Sequence, residues 1–164
     1  MKYEREVLEN ADEIIVVSQS IKNIFAKKSP TISANKIHVI PNGFDENDFK
    51  SKTVGISNDF IITYTGTITG DYKIEAFLIA LKNLINQNKE TKIKLRFVGS
   101  VSGEIKNILE KHLKFHVDIV PHVAHAASVN YLLSSTILLL AIPDVKDNEG
   151  ILTGKLFEYL ASQK

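Results

Sequence analysis

The sequence predicts an α/β chain built on a doubly wound parallel sheet, and three observations carry that expectation. Short apolar runs of strand length alternate with segments of helical periodicity along the chain. The runs are β-branched and continuous, as in Ile14-Ile15-Val16-Val17, which suits strands covered on both faces. A turn residue then closes one run after another, at Gly66, Gly99 and Pro121. Such alternation implies right-handed crossovers. A sheet of this kind takes its ligand beyond the carboxyl ends of the strands, where the strand order reverses. Gly66, Gly99, Pro121-His122 and the loop after Ala141 all stand at those ends, so candidate site residues gather on one edge.

Taken in order, Tyr3 to Asn10 is a charged, helix-compatible lead-in, and Ala11 to Ser18 contains a short buried strand. Ser18 or Ser20 caps the next helix, where Ile21, Ile24, Phe25 and Lys28 keep helical spacing. Lys36 to Ile40 is a strand stopped by Pro41-Asn42-Gly43, and Phe44 and Phe49 follow as a linker whose aromatics dock on the adjoining domain. The polar stretch Ser51 to Asp59 is the expected domain boundary. Phe60 to Thr65 is the next strand, and Asp71 or a neighbour caps a long helix marked by Ile74, Phe77, Leu78, Leu81, Leu84 and Ile85. Strands follow at Ile93 to Val98, Val117 to Val120 and Ile137 to Ala141, with helices from Ser102 and from His125 to Leu133 between them.

Composition narrows the class. At 164 residues the chain holds one ordinary domain, or one plus part of another. It has no Cys, which removes disulfide frameworks, thiolate metal sites and Cys nucleophiles. A net charge of +1 gives no global field toward nucleic acid. Lys92, Lys94, Arg96, Lys106, Lys111 and Lys114 make the middle locally basic, read as a solvated face, with contact to a membrane or an anionic acceptor as the alternative. No apolar run reaches transmembrane length and Met1 to Glu6 is no signal peptide, so a cytoplasmic protein is expected.

The most informative stretch is Glu149 to Lys164. Leu156, Phe157, Leu160 and Ala161 form an inward helical face, and Thr153 stands where an N-cap belongs. Lys155 is oddly placed for stability alone, because a first-turn cation opposes the helix dipole by ~0.3–1 kcal/mol. Lys before Glu is also the poorer order for a helical ion pair. An anion at that helix start removes both penalties, since free N–H groups and the ammonium then converge on it. The alternative is a solvated surface pair of Lys155 with Glu158.

Gly154-Lys155-Leu156-Phe157-Glu158-Tyr159-Leu160-Ala161 resembles the hallmark helix of the group 1, GT-B type, family 4-like retaining glycosyltransferases. Ala11-Asp12 before a strand ending in Ser18, then Val39-Ile40-Pro41-Asn42-Gly43-Phe44-Asp45, resembles the same family's passage from its N-terminal to its C-terminal domain. The resemblance spans the chain from about Ala11 onward. It implies a Rossmann-like, GT-B C-terminal domain over 51–164, incomplete at its end, preceded over 1–50 by the tail and hinge of a second Rossmann-like, acceptor-binding domain. A fragment cut in this way should expose the Ile137 to Leu140 edge and favour self-association.

The resemblance also implies roles. Lys73, Lys155 and Glu158 are the catalytic candidates, the two lysines neutralising a departing diphosphate and Glu158 holding the ribose. Gly66, Thr67, Gly99, His122, Val123, Glu149, Gly150, Thr153 and Gly154 are the nucleotide-sugar-binding candidates. Thr67 stands where the family usually has Arg, which removes part of the expected charge. Glu149 lies one residue upstream of the family's first glutamate, since Gly150 holds that place. Lys73 read alone is an exposed helix residue, and Asp144, Asp147 and Glu149 read alone solvate a loop. His122 and His125 lack a third ligand for a metal, and neither a metal nor another cofactor is expected. The implied partners are a nucleotide-diphosphate sugar donor and a saccharide or lipid-linked acceptor, met at the inner face of the membrane during surface polysaccharide or glycolipid assembly. Two rivals stay open: a GT-B-fold sugar-nucleotide epimerase, and a non-catalytic nucleotide-sugar-binding or scaffold module.

Overall fold

A computed structural model of the chain describes residues 2–50, 55 and 57–164. The expected boundary over Ser51 to Asp59 falls largely outside the described residues. The chain forms two compact units, one of Met1–Gly43 with Val145–Gly154 and one of Phe44–Asp144 with Lys155–Lys164.

The smaller unit carries helix α1 (Lys2–Asn10), strand β1 (Ile14–Val16), helix α2 (Gln19–Ala26) and strand β2 (Ile37–Val39). The strands are parallel, with Ile14 opposite Ile37 and Val16 opposite Val39. Leu8, Ile14, Val16, Ile32 and Ile37 make its core. Ser18 caps α2 as expected, its Oγ accepting the Ile21 N–H at 3.2 Å, and the same hydroxyl donates to the Gly150 carbonyl at 3.1 Å. Gly150 is buried, and a Cβ there would lie 3.0 Å from Ile24 and 3.2 Å from Ile21.

The larger unit runs through α3 (Glu46–Phe49), β3 (Phe60–Thr65), α4 (Glu75–Gln87), β4 (Ile93–Val98), α5 (Gly103–Leu113), β5 (Val117–Val120), α6 (His125–Leu133) and β6 (Ile137–Leu138), with most of α7 (Gly154–Ser162). Its four strands are all parallel in the order β5-β4-β3-β6. This is the expected doubly wound arrangement, with the reversal between β3 and β6. One face of β3 and β4 buries Ile62, Tyr64, Leu95 and Phe97 against Leu78 of α4 and Ile105 of α5. Ser102 caps α5 through the Ile105 N–H.

Two local expectations are corrected. Ile74, not Asp71, occupies the N-cap position of α4, and it makes no side-chain cap bond. The strand expected over Ile137 to Ala141 pairs only at Ile137 and Leu138. Side-chain hydroxyls take over at both ends of that short ladder. Thr136 Oγ1 accepts the Ile61 N–H at 2.9 Å, and Tyr159 of α7 accepts the Thr65 N–H at 3.0 Å. A buried N–H needs a partner, and these two find one outside the ladder.

Candidate functional site

The site is built where β3 and β4 end, within the larger unit. Gly66 and Gly99 follow those strands with φ of +106° and +132°, a conformation that glycine adopts without steric cost. Their backbones nearly touch. A Cβ on Gly99 would lie 2.5 Å from the Gly66 carbonyl oxygen, and one on Gly66 would lie 2.8 Å from Cε and 2.9 Å from Nζ of Lys155. Lys155 therefore reaches from α7 to the mouth of the sheet.

Tyr64 holds that lysine. Its ring is fully buried, its hydroxyl accepts from Lys155 Nζ at 2.7 Å, and the ammonium stands 4.3 Å from the ring centroid. The same hydroxyl donates to the Thr67 carbonyl at 2.8 Å, which fixes the turn after β3. Burial lowers the Lys155 pKa, and the neighbouring Glu158 carboxylate works against that shift. Burial raises the Tyr64 phenol, so it stays an uncharged relay between lysine and loop. Tyr159, raised by burial too, fastens α7 to Thr65 one residue before Gly66.

A cleft of about 370 Å³ opens beside this turn, lined by Gly66 and Thr67, by Val98, Gly99 and Ser100, and by His122, Val123, Ala124, His125 and Ser128. Five of the residues singled out in the sequence thus share one wall system: Gly66, Thr67, Gly99, His122 and Val123. Glu158 joins them through His125, whose Nδ1 lies 4.0 Å from Glu158 Oε1. Lys73 is exposed and donates to the Gly70 carbonyl at 3.1 Å, on the same β3–α4 loop as Gly66. Thr153 immediately precedes α7, and Gly154 opens it. Glu149 and Gly150 belong to the smaller unit, where Gly150 packs on α2 and Glu149 lines a different hollow of about 450 Å³ with Lys27, Lys28 and Lys146.

Sequence reasoning missed three contributors. Tyr64 reads as one more apolar strand residue, Tyr159 as part of a helix motif, and Asp48 as a polar linker position. Only the fold shows that Asp48 Oδ2 lies 2.9 Å from His125 Nε2. His112 and His116 carry no such role, being tied to Glu75 and to the Ile93 carbonyl. Among the described residues no group of three or more His, Asp or Glu is placed to hold a metal ion, and no helix is long and apolar enough to cross a membrane.

A parallel doubly wound sheet with glycine turns and a half-buried lysine at its mouth matches a Rossmann-like unit of the GT-B glycosyltransferase fold. Comparison with known proteins agrees, and the chain is similar to a family 4-like GT-B glycosyltransferase. The model of the family described as Glycosyltransferase Family 4 matches residues 1–48. Among solved structures, WaaG, a glycosyltransferase involved in lipopolysaccharide biosynthesis, superposes with a TM-score of 0.76 at 15% identity, over 98% of this chain and 45% of that one. HepE from Anabaena, in complex with UDP, gives 0.72 at 16% identity, over 96% of this chain and 44% of that one. A mutant of S. aureus TarM, in complex with fondaparinux, alpha-GlcNAc-glycerol and UDP, gives 0.69 at 12% identity, over 99% of this chain and 31% of that one. The chain spans less than half the length of each. No curated protein matches it in sequence.

Proposed function

We propose that these residues form most of the nucleotide-sugar-binding part of a retaining, hexosyl-type glycosyltransferase. Breaking a glycosidic bond to a diphosphate builds negative charge on the departing nucleotide, and preorganised donors at that charge are the main catalytic contribution. In this reading Lys155, Lys73, the Thr67 turn and the start of α7 near Gly154 hold the diphosphate. Glu158 accepts from the ribose hydroxyls, and the His122–Val123 segment takes the base. The acceptor is a saccharide or a lipid-linked saccharide in surface polysaccharide or glycolipid assembly, worked on at the cytoplasmic face of the membrane. The UDP complexes of HepE and TarM and the lipopolysaccharide role of WaaG support this class. Self-association through β6 belongs to the same proposal, since Ile137 on that edge strand is 43% exposed.

The observation that carries the reading is Lys155 lying on Gly66 at the end of β3, beside the strand-order reversal. Calorimetric titration with UDP, GDP and ADP tests it. One nucleotide is expected to bind saturably, and Lys155→Gln or Glu158→Ala to weaken it ~10–100-fold, the range for a lost hydrogen bond to a charged group. No saturable signal from any of the three would sink the assignment.

A second reading has its own support. Thr67 stands where the resembling family usually has arginine, which removes part of the charge that would meet a departing diphosphate. A nucleotide-sugar-binding module without transfer chemistry would bind nucleotide with the same dependence on Lys155. It would form no glycoside product when supplied with donor and acceptor.

A further inference from the structure

We infer that His125, tethered by Asp48, positions the Glu158 carboxylate for the ribose of a bound nucleotide. The inference rests on the nucleotide-binding reading above and adds two residues to it. His125 opens α6, lines the cleft, and turns its two ring nitrogens toward two carboxylates. Nε2 lies 2.9 Å from Asp48 Oδ2, and Nδ1 lies 4.0 Å from Glu158 Oε1. Asp48 is itself held in place. Its one-turn helix α3 is capped by Asp45, which accepts the Asn47 N–H at 2.8 Å, and Phe49 packs edge-on against Phe44 with ring centroids 5.9 Å apart.

Ring chemistry gives the consequence. In a neutral imidazole one nitrogen donates and the other presents a lone pair, whereas both donate in the imidazolium. A neutral ring that donates from Nε2 to Asp48 therefore turns a lone pair toward Glu158. The imidazolium turns an N–H there instead, and a small rotation of the glutamate closes the gap to a hydrogen bond.

The test titrates UDP, and its 2′,3′-dideoxyribose analogue, into wild type, His125→Gln, Asp48→Ala, Glu158→Gln and the double variant His125→Gln/Glu158→Gln. His125→Gln should weaken UDP about tenfold, the scale of a hydrogen bond lost at a charged group. His125→Gln should add nothing to Glu158→Gln, and it should leave the dideoxy analogue unaffected. Asp48→Ala removes the tether without touching the cleft wall and should weaken UDP, but not the dideoxy analogue, likewise, which keeps the inference testable if His125→Gln does not fold. A His125→Gln affinity for UDP equal to that of wild type overturns it, as do penalties of His125→Gln and Glu158→Gln that multiply in full. Absence of UDP binding in every form would instead remove the nucleotide-binding reading itself.

Discussion

At the scale of single residues the site depends on how close two backbones come. Gly66 and Gly99 read in the sequence as turn glycines, and so they are. Their mutual approach is a tertiary fact, because a Cβ on Gly99 meets the Gly66 carbonyl, which cannot rotate away. On Gly66 the obstacle is the end of the flexible Lys155 chain, which can. The two alanine variants should therefore separate. Both carry a positive-φ penalty of ~1–3 kcal/mol, but Gly99→Ala should lose more folding stability in urea. Gly66→Ala should lose more UDP affinity, since it pushes the ammonium off Tyr64. Equal losses in both assays would count against this geometry. Lys155 was legible for a related reason. A cation where the helix dipole opposes it is a local conflict, and such conflicts mark sites. Tyr64 carried no conflict, and nothing in the sequence says where its hydroxyl points.

At the scale of elements, β3, β4 and β5 run over the residues that hydrophobic patterning assigns them, because a continuous apolar run bounded by turns leaves little choice. The β6 segment shows the limit of that rule. Ile137 to Ala141 is as apolar as the other strands, yet pairing also needs a neighbour whose groups are still open. Past Leu139 the donor on β3 is Thr65, and Tyr159 already satisfies it. Which hydroxyl closes a ladder is a long-range matter, invisible to a local pattern. Tyr159→Phe checks this. The hydroxyl is buried and removing it leaves the Thr65 N–H without its acceptor, so a loss of ~1–3 kcal/mol is expected from denaturant midpoints. A loss below about 0.5 kcal/mol, the low end for an ordinary hydrogen bond, would mean that β6 or solvent supplies another acceptor.

At the scale of the whole molecule, alternation of strands and helices foretold a parallel sheet, while the order β5-β4-β3-β6 emerged only from the fold. The two units also differ in what sustains them. The larger buries one face of a four-stranded sheet under α4 and α5, whereas the smaller has, among its described residues, a core of five buried apolar side chains and two short strands. So small a core leaves polar ties a larger share of the stability. Glu9 is the foremost of them, accepting from Ser29 at 2.7 Å, from Arg5 at 2.9 Å and from Thr31 at 3.0 Å, and so joining α1 to the turn after α2. Those bonds, the Ser29 hydroxyl first, hold its carboxyl at about 2, below its ordinary 4.5. A depressed carboxyl stabilises the fold above its unfolded value and loses that contribution as pH falls through its folded one. The window is therefore from about 4.5 down to about 2. Amide exchange at Ile14, Val16 and Ile37 reports on this unit directly. Glu9→Gln should exchange faster than wild type near neutrality, with the gap closing through that acid window. A gap that stays constant or widens in acid would show that the bonds to Glu9 do not depend on its charge.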